Sequence, residues 1–241
     1  MPVGIIVNVL SVVIGGIIGN VVGSRLSGRV IESMNTVFGA CAMAMGISSI
    51  VLMSNMPAVM LSVISGTAIG LSIRLGDKIT AGGLLMERAI SKFYKGKGGN
   101  DEDYKKQLVT AIVLFCASGT GIYGSIVSGM TGEHSILLAK SVLDIATSLI
   151  FACSLGLVTS FIAIPQFIIF MLLFVFANVI YPYCSPSMIN DFKACGGILL
   201  IATGFRMIRV KDFPVADMIP AMVVAMPISH IWTAYILPIV S

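Results

Sequence analysis

The sequence predicts an all-α integral membrane protein with about eight transmembrane helices, spans 1–3 and 6–8 forming an inverted pseudo-repeat. Three observations carry the prediction. The 241 residues are 57% hydrophobic and 11% charged, with mean hydropathy +1.01, whereas a water-soluble domain usually has about 25% charged residues. Apolar runs long enough to cross a bilayer recur along the chain, separated by proline, glycine and charged breaks. Residues 20–51 also match residues 178–209 at 8 of 32 positions without gaps. A chain so poor in polar surface has the bilayer as its expected solvent.

The apolar runs fall at about 4–23, 34–53, 57–74, 107–129, 136–160, 165–183, 195–209 and 217–238. No Lys/Arg-bearing segment precedes the first, and no small-residue cleavage site follows it, so it reads as a retained span. Ser54-Asn55-Met56-Pro57, Pro165, Tyr181-Pro182 to Pro186 and Lys211 to Pro214 punctuate the later runs.

Charge fixes the expected orientation. With eight spans, the first, third and seventh loops share one side and hold 13 of the 15 basic residues, from Arg25 and Arg29 through the Arg74–Lys106 segment to Arg206, Arg209 and Lys211. Lys140 and Lys193 remain on the other side. By the positive-inside rule those loops are cytoplasmic and both termini extracytoplasmic. The net charge of +4 therefore describes orientation, and no nucleic-acid partner is expected.

The whole chain, 1–241, reads as one transmembrane domain: repeat A at 4–74, a cytoplasmic amphipathic helix and loop at 77–106, central spans at 107–156 and repeat B at 157–238. In the cytoplasmic segment Ile79, Gly83, Met86, Ile90 and Phe93 share one helical face, with Lys78, Glu87, Arg88 and Lys92 largely elsewhere. This is the pattern of a helix lying on the membrane surface. Gly96 to Asp103 is polar and glycine-rich, a connector.

The repeat pairs Asn20 with Asn178, Gly39 with Gly197, Gly46 with Gly204 and, after a five-residue insertion, Pro57-Ala58 with Pro220-Ala221. The copies begin five spans apart, an odd number, so their orientations are opposite. Inverted repeats recur in secondary transporters.

Lys140 and Asp144 stand out within the apolar run 133–156. Ionisable groups at membrane depth are costly and mark functional sites, and four-residue spacing puts these two on one helix face. If span 5 starts near Ile136, Lys140 lies about 6 Å in and Asp144 about 12 Å in. Two readings stand: a fixed pair that locks span 5 against its neighbours, or a carboxylate that binds a cation or proton for which Lys140 competes. Lys140 also has the reach to meet a lipid headgroup. Ser141 and Ser148 flank the face and offer neutral oxygens. Asn20 and Asn178 join these as candidate site residues, with helix capping as their structural alternative.

Gly119-Thr120-Gly121-Ile122-Tyr123-Gly124 has the spacing of a dinucleotide-binding turn, but it falls mid-span without the strand such a turn needs. Gly119 and Gly121 read instead as close packing, or as a locally unwound helix lining a site. Gly15, Gly19 and Gly23, and Ser62, Gly66 and Gly70, form small-residue stripes for helix packing or a homo-oligomer seam. His230 is a secondary candidate, read first as a satisfied core donor. Gln166, just after Pro165, reads as interfacial. The five cysteines form no C-x-x-C pair, Glu133-His134 lacks the remainder of a zinc motif, and no nucleophile elbow or phosphate loop appears. No catalytic residue, metal site, cofactor or enzyme activity is expected.

The segments GEHSILLAKSVLD and FACSLG, then SPSMINDFKACGGILLIATGF and MIPAMVVAMPI, with the early VNVLSVVIGGIIGNVVGSRL, resemble the bacterial YdfK/YqgA-like family of membrane proteins over nearly the whole chain. KSVLD is the most specific part, and Ile145 departs from the small residue usual there. The resemblance implies a multi-pass protein of the cell inner membrane and no particular activity. The sequence itself favours transport of a small solute or ion. An oligomeric channel, and a membrane-embedded assembly or signalling protein with nothing translocated, are the alternatives. The bilayer and an unknown small solute or ion are the expected partners.

Overall fold

The computed structural model describes residues 1–22, 28–93 and 102–240. Gly23, Arg25, Lys95, Lys97 and most of the 96–103 connector lie outside them. The described residues are helical almost throughout. In chain order the helices are α1 (Val3–Val22), α2 (Gly28–Ile50), α3 (Met56–Ser72), α4 (Leu75–Phe93), α5 (Glu102–Cys116), α6 (Gly119–Thr131), α7 (Ser135–Leu155), α8 (Val158–Phe161), α9 (Ala163–Ile180), α10 (Pro186–Met207), α11 (Val215–Met218) and α12 (Pro220–Ile231). A π-helical turn, Trp232–Ile236, and a last short helix, α13 (Leu237–Val240), follow.

Each of the eight apolar runs is helical, but not each is a span by length. Six segments are long and apolar enough to cross a bilayer: Val3–Val22, Gln107–Thr131, Ser135–Leu155, Val158–Tyr183, Pro186–Met207 and Val215–Ile239. Within α2, Thr36–Ile50 is a shorter apolar helix. Met56–Ser72 qualifies only together with Leu75–Ile90, across a bend, where Arg74 adopts φ 51°. Among the described residues six to seven helices meet that test of length and composition, against the eight apolar runs of the sequence.

Three of the spans are interrupted, each for a legible reason. Ser118 ends α5 and starts α6 by accepting the Gly121 amide on its hydroxyl. Pro165 lacks the N–H that would bond the Phe161 carbonyl, and the chain breaks at Ile162 between α8 and α9. Pro220 opens α12 after the break at Ile219, and Pro227 lies inside that helix, ahead of the π turn.

The chain divides into two compact units, Met1–Met34 with Lys78–Val179, and Asn35–Asp77 with Ile180–Ser241. In the first, α1 runs parallel to α7. A Cβ at Gly4 would lie 3.1 Å from atoms of His134 and Leu137, one at Gly15 would meet Ser148 and the Ile145 carbonyl, and one at Gly19 would lie 2.8 Å from the Ala152 Cβ. Ile145, the family departure, thus meets Gly15 through its backbone, while its side chain is partly exposed. The α8–α9 segment runs antiparallel to α1, with Ser160 against Gly16. Val12, Ile112, Phe115, Leu155 and Ile162 form the core beneath these contacts, and α4 packs onto it through Met86 and Ile90. Glu87, expected on the polar face of α4, is buried.

In the second unit, α2 packs antiparallel on α10. A Cβ at Gly46 would lie 2.6 Å from the Gly197 carbonyl, and one at Gly197 would lie 2.6 Å from the Gly46 carbonyl; Gly39 and Gly204 are reciprocal in the same way, at 2.9 and 2.7 Å. α3 runs antiparallel to the α11–α12 segment, Gly66 against Ala221 and Gly70 against Asp217.

Candidate functional site

The polar centre of the first unit is built on α7. Lys140 and Asp144, one turn apart, are 4% and 6% exposed. The Lys140 ammonium donates to both carboxylate oxygens at 2.7 Å, and Asn8 of α1 donates from Nδ2 to Asp144 Oδ2 at 2.9 Å. The parallel packing of α1 on α7 brings Asn8 to this level. Gln166, at the start of α9, donates from Nε2 to Asn8 Oδ1 at 2.9 Å. Four side chains from three helices thus form one buried chain of hydrogen bonds. It ends at Gln166 Oε1, a buried acceptor with no partner among the described residues.

The break between α5 and α6 lies beside this chain. On one side of the break the Phe115 ring centroid is 5.9 Å from Lys140 Nζ. On the other, a Cβ at Gly121 would meet the Phe170 ring and lie 3.0 Å from Lys140 Cε. Glycine at 121 is therefore the space in which the lysine stem lies.

The structure brings only some of the expected residues together. Lys140, Asp144 and Gly121 meet; Gly119 begins α6 two residues away. Ser141 and Ser148 are buried, but each hydroxyl bonds its own helix, to Leu137 and Ile145 carbonyls respectively. Ser148 serves as the surface on which Gly15 packs. Asn20 lies 12 residues beyond Asn8, about 18 Å along α1 at helical rise, with its Oδ1 3.4 Å from a Cβ built on Gly156. Asn178 is exposed near the end of α9. Neither asparagine belongs to the cluster. His230 is exposed rather than a core donor. Gln166, expected at the interface, is fully buried. The signal for Asn8 was present in the sequence: it is an isolated amide in the apolar run VGIIVNVLSV.

A second buried carboxylate escaped the sequence reading. Asp191 of α10 is 1% exposed. It accepts from the Ser54 and Asn55 amides at 2.9 and 2.8 Å, from Asn55 Nδ2 at 2.9 Å and from Ser229 Oγ at 2.6 Å. Asn55 Nδ2 also reaches Thr233 Oγ1, in the π turn, at 3.3 Å. Asn8 and Asp144, and Asn55 and Asp191, are each separated by 136 residues. The two carboxylates nevertheless have different partners. Asp144 faces a flexible ammonium, whereas Asp191 faces the amides that lead into α3, the position where an anion offsets the helix dipole. Among the described residues no group of three or more His, Cys, Asp or Glu side chains is placed to hold a metal ion.

These features define a polytopic helical membrane protein with a buried ion pair beside a discontinuous span. The chain belongs to the family described as "Protein of unknown function (DUF554)", whose model matches residues 3–230. It is 43% identical to the uncharacterized protein YqgA of Escherichia coli (strain K12), over 98% of this chain and 99% of that protein. It is 24% identical to the uncharacterized membrane protein YdfK of Bacillus subtilis (strain 168), over 92% and 93%. No solved structure matches.

Proposed function

We propose that the protein carries a small solute or ion across the bacterial inner membrane, and that the Lys140–Asp144–Asn8–Gln166 chain is its binding site. The observation that supports this most is the buried, charged chain of polar groups beside the α5–α6 break, ending in an acceptor without a partner among the described residues. Broken helices next to buried charge recur at transporter sites, where irregular backbone is tolerated because it lines a cavity or is buried in protein.

The inverted repeat belongs to the same reading. An offset of 158 pairs Asn20 with Asn178, and it also pairs Asn8 with Gln166, which hydrogen-bond one another. It pairs Gly39 with Gly197 and Gly46 with Gly204, and the packing joins Gly39 to Gly204 and Gly46 to Gly197. Reciprocal antiparallel contacts between matched positions are what a two-fold axis in the membrane plane generates. On this reading the chain crosses eight times with both termini outside. An impermeant thiol reagent added to intact cells then labels Glu133→Cys and not Lys92→Cys, with the native cysteines removed.

A scaffold without a translocated substrate is the second reading, favoured by the fact that Asp144 already has fixed partners. Reconstituted liposomes separate the two. Solid-supported membrane currents or dye-reported fluxes over a panel of ions and small solutes are expected to reveal a wild-type activity. Asp144→Asn, and the charge-neutral pair Lys140→Met with Asp144→Asn, are expected to lose it while remaining membrane-inserted. Full activity in both variants removes the site; no activity over the panel with intact protein favours the scaffold.

A further inference from the structure

We infer that the Asp144 site is a receptor for a primary ammonium group, and that the Lys140 side chain is its tethered occupant in this structure. The biological use of such a site rests on the carrier reading above, but binding does not. Asp144 holds the lysine ammonium through both oxygens at 2.7 Å, the short charge-assisted contacts of a carboxylate with N⁺–H donors. Asn8 donates to Oδ2 as well, so the carboxylate is held in place from the α1 side.

An ammonium group has three protons, and Asp144 takes two. Gln166 Oε1, at the far end of the same chain of groups, is fully buried and without a partner among the described residues, so the tethered lysine head leaves it unused. Its orientation is fixed by chemistry: the geminal Nε2 donates to Asn8 Oδ1, and turning the amide over would set two oxygens against each other. A buried acceptor left unmade costs about 1–3 kcal/mol, so an untethered donor that reaches it is stabilised there. The Phe115 ring, 5.9 Å from Nζ, adds the aromatic wall that attracts a desolvated cation.

Lys140 is a poor permanent tenant. Helical side chains lean toward the N-terminus, yet this one curls toward the residue four positions later, and lysine before the acid is the weaker order for such a pair. The lysine head is held by Asp144, one turn further along the same helix, against that lean. A free amine presents the same head without the tether. The low-polarity surroundings tolerate one positive charge against Asp144, not two, so an incoming amine exchanges with the lysine head, which then swings toward the start of α7. The space available is that of the lysine stem, bounded by Gly121 and Phe170. It fits ammonium itself or a short unbranched alkylammonium, and excludes a quaternary head, which has no N–H to donate.

Calorimetry on the detergent-purified full chain tests this with methylammonium and propylammonium, against tetramethylammonium at equal ionic strength. Lys140→Ala, which empties the stem space, is expected to bind propylammonium at least about tenfold more tightly than wild type and to gain thermal stability from it; adding Asp144→Asn abolishes both. Equal affinity in wild type and Lys140→Ala, equal binding of tetramethylammonium, or no alkylammonium binding to either protein overturns the proposal. Gln166→Leu keeps the ion pair and so does not depend on the folding of Lys140→Ala. It is expected to lower wild-type affinity for methylammonium about tenfold with only a small drop in unfolding temperature; unchanged affinity overturns the role of Oε1. Amine binding without amine flux in liposomes keeps the receptor and removes the carrier. Asp144-dependent flux of another solute without amine binding does the reverse.

Discussion

Asn8 and Gln166, 158 residues apart, share a buried side-chain hydrogen bond of 2.9 Å. Asn8 is the hinge of the cluster, since it also donates to Asp144. Truncating it strands both neighbours: Asp144 Oδ2 loses a neutral donor and Gln166 Nε2 loses its acceptor. Asn8→Ala is expected to cost about 2–3 kcal/mol, in the range for buried hydrogen bonds involving a charged group. Gln166→Leu removes a group that is half unsatisfied and is expected to cost under about 1 kcal/mol. Reversible denaturation in mild detergent ranks the two; a larger loss for Gln166→Leu would contradict the assignment of Asn8 as the shared partner.

The two residues also show how far the sequence was readable. Hydropathy located every long helix, because an apolar run of about 20 residues has few other solutions in a chain this poor in charge. The bend that joins Met56–Ser72 to Leu75–Ile90 was not legible in hydropathy, because it depends on the backbone at Arg74. Lys140 and Asp144 were legible because charge in an apolar run is conspicuous. The 158-residue offset was legible too, but it drew attention to Asn20 and Asn178, 12 residues beyond the pair that meets. Identity between matched positions favoured the asparagines; Asn8 and Gln166 match in chemistry and not in letter. Asp191 was hidden because polar residues surround it in SPSMINDFK, so it read as part of a helix end. Its burial comes from Ser54, Asn55 and Ser229, which lie far away in sequence.

Helix contact in both units rests on missing side chains, and glycine substitutions separate contact from propensity. A Cβ at Gly15 would overlap Ser148 and the Ile145 carbonyl, whereas one at Gly82 of α4 has nothing within 4 Å. Gly15→Ala is expected to push α1 from α7 and cost about 1–3 kcal/mol, the usual range for overpacking. Gly82→Ala is expected to stabilise by about 0.5–1 kcal/mol, because alanine is the better helix former. Thermal unfolding followed by thiol-reactive dye gives the signs; a stabilised Gly15→Ala would place the α1–α7 contact elsewhere.

Reciprocity between α2 and α10 makes a sharper demand. A Cβ on Gly46 meets the Gly197 carbonyl at the same 2.6 Å that a Cβ on Gly197 meets the Gly46 carbonyl. Gly46→Ala and Gly197→Ala are therefore expected to destabilise equally, by about 1–3 kcal/mol each. Once either alanine has separated the helices, the second costs less, so the double variant falls short of the sum by about 0.5 kcal/mol or more. Additive losses would show that the two positions respond to different neighbours.

Asp144 and Asp191 invite the same substitution and are expected to answer differently. Asparagine at 144 leaves the Lys140 ammonium without its counter-charge, and breaking a buried pair from one side costs about 3–5 kcal/mol unless the remaining ion escapes. Lysine has the reach to escape along its stem, so the loss lies at or below that range. Adding Lys140→Met removes the stranded charge, and the double variant is expected to recover most of the loss, since paired replacement by apolar groups is often neutral. Asp191 has no such remedy. Both oxygens accept two donors, and Oδ1 faces the two backbone amides of Ser54 and Asn55, which cannot turn away. Asp191→Asn removes the charge that these amides and the N-terminus of α3 oppose, and puts a donor where the other oxygen accepted from Asn55 and Ser229. A loss of about 2–4 kcal/mol is expected, with no second-site change at a single cation to restore it. Denaturation of the three variants and the wild type in one detergent, with ligand absent, reads the contrast. Failure of the Lys140→Met and Asp144→Asn pair to recover stability would mean that the two charges do not answer chiefly to each other, and the exchange of lysine for an incoming ammonium would lose its physical basis.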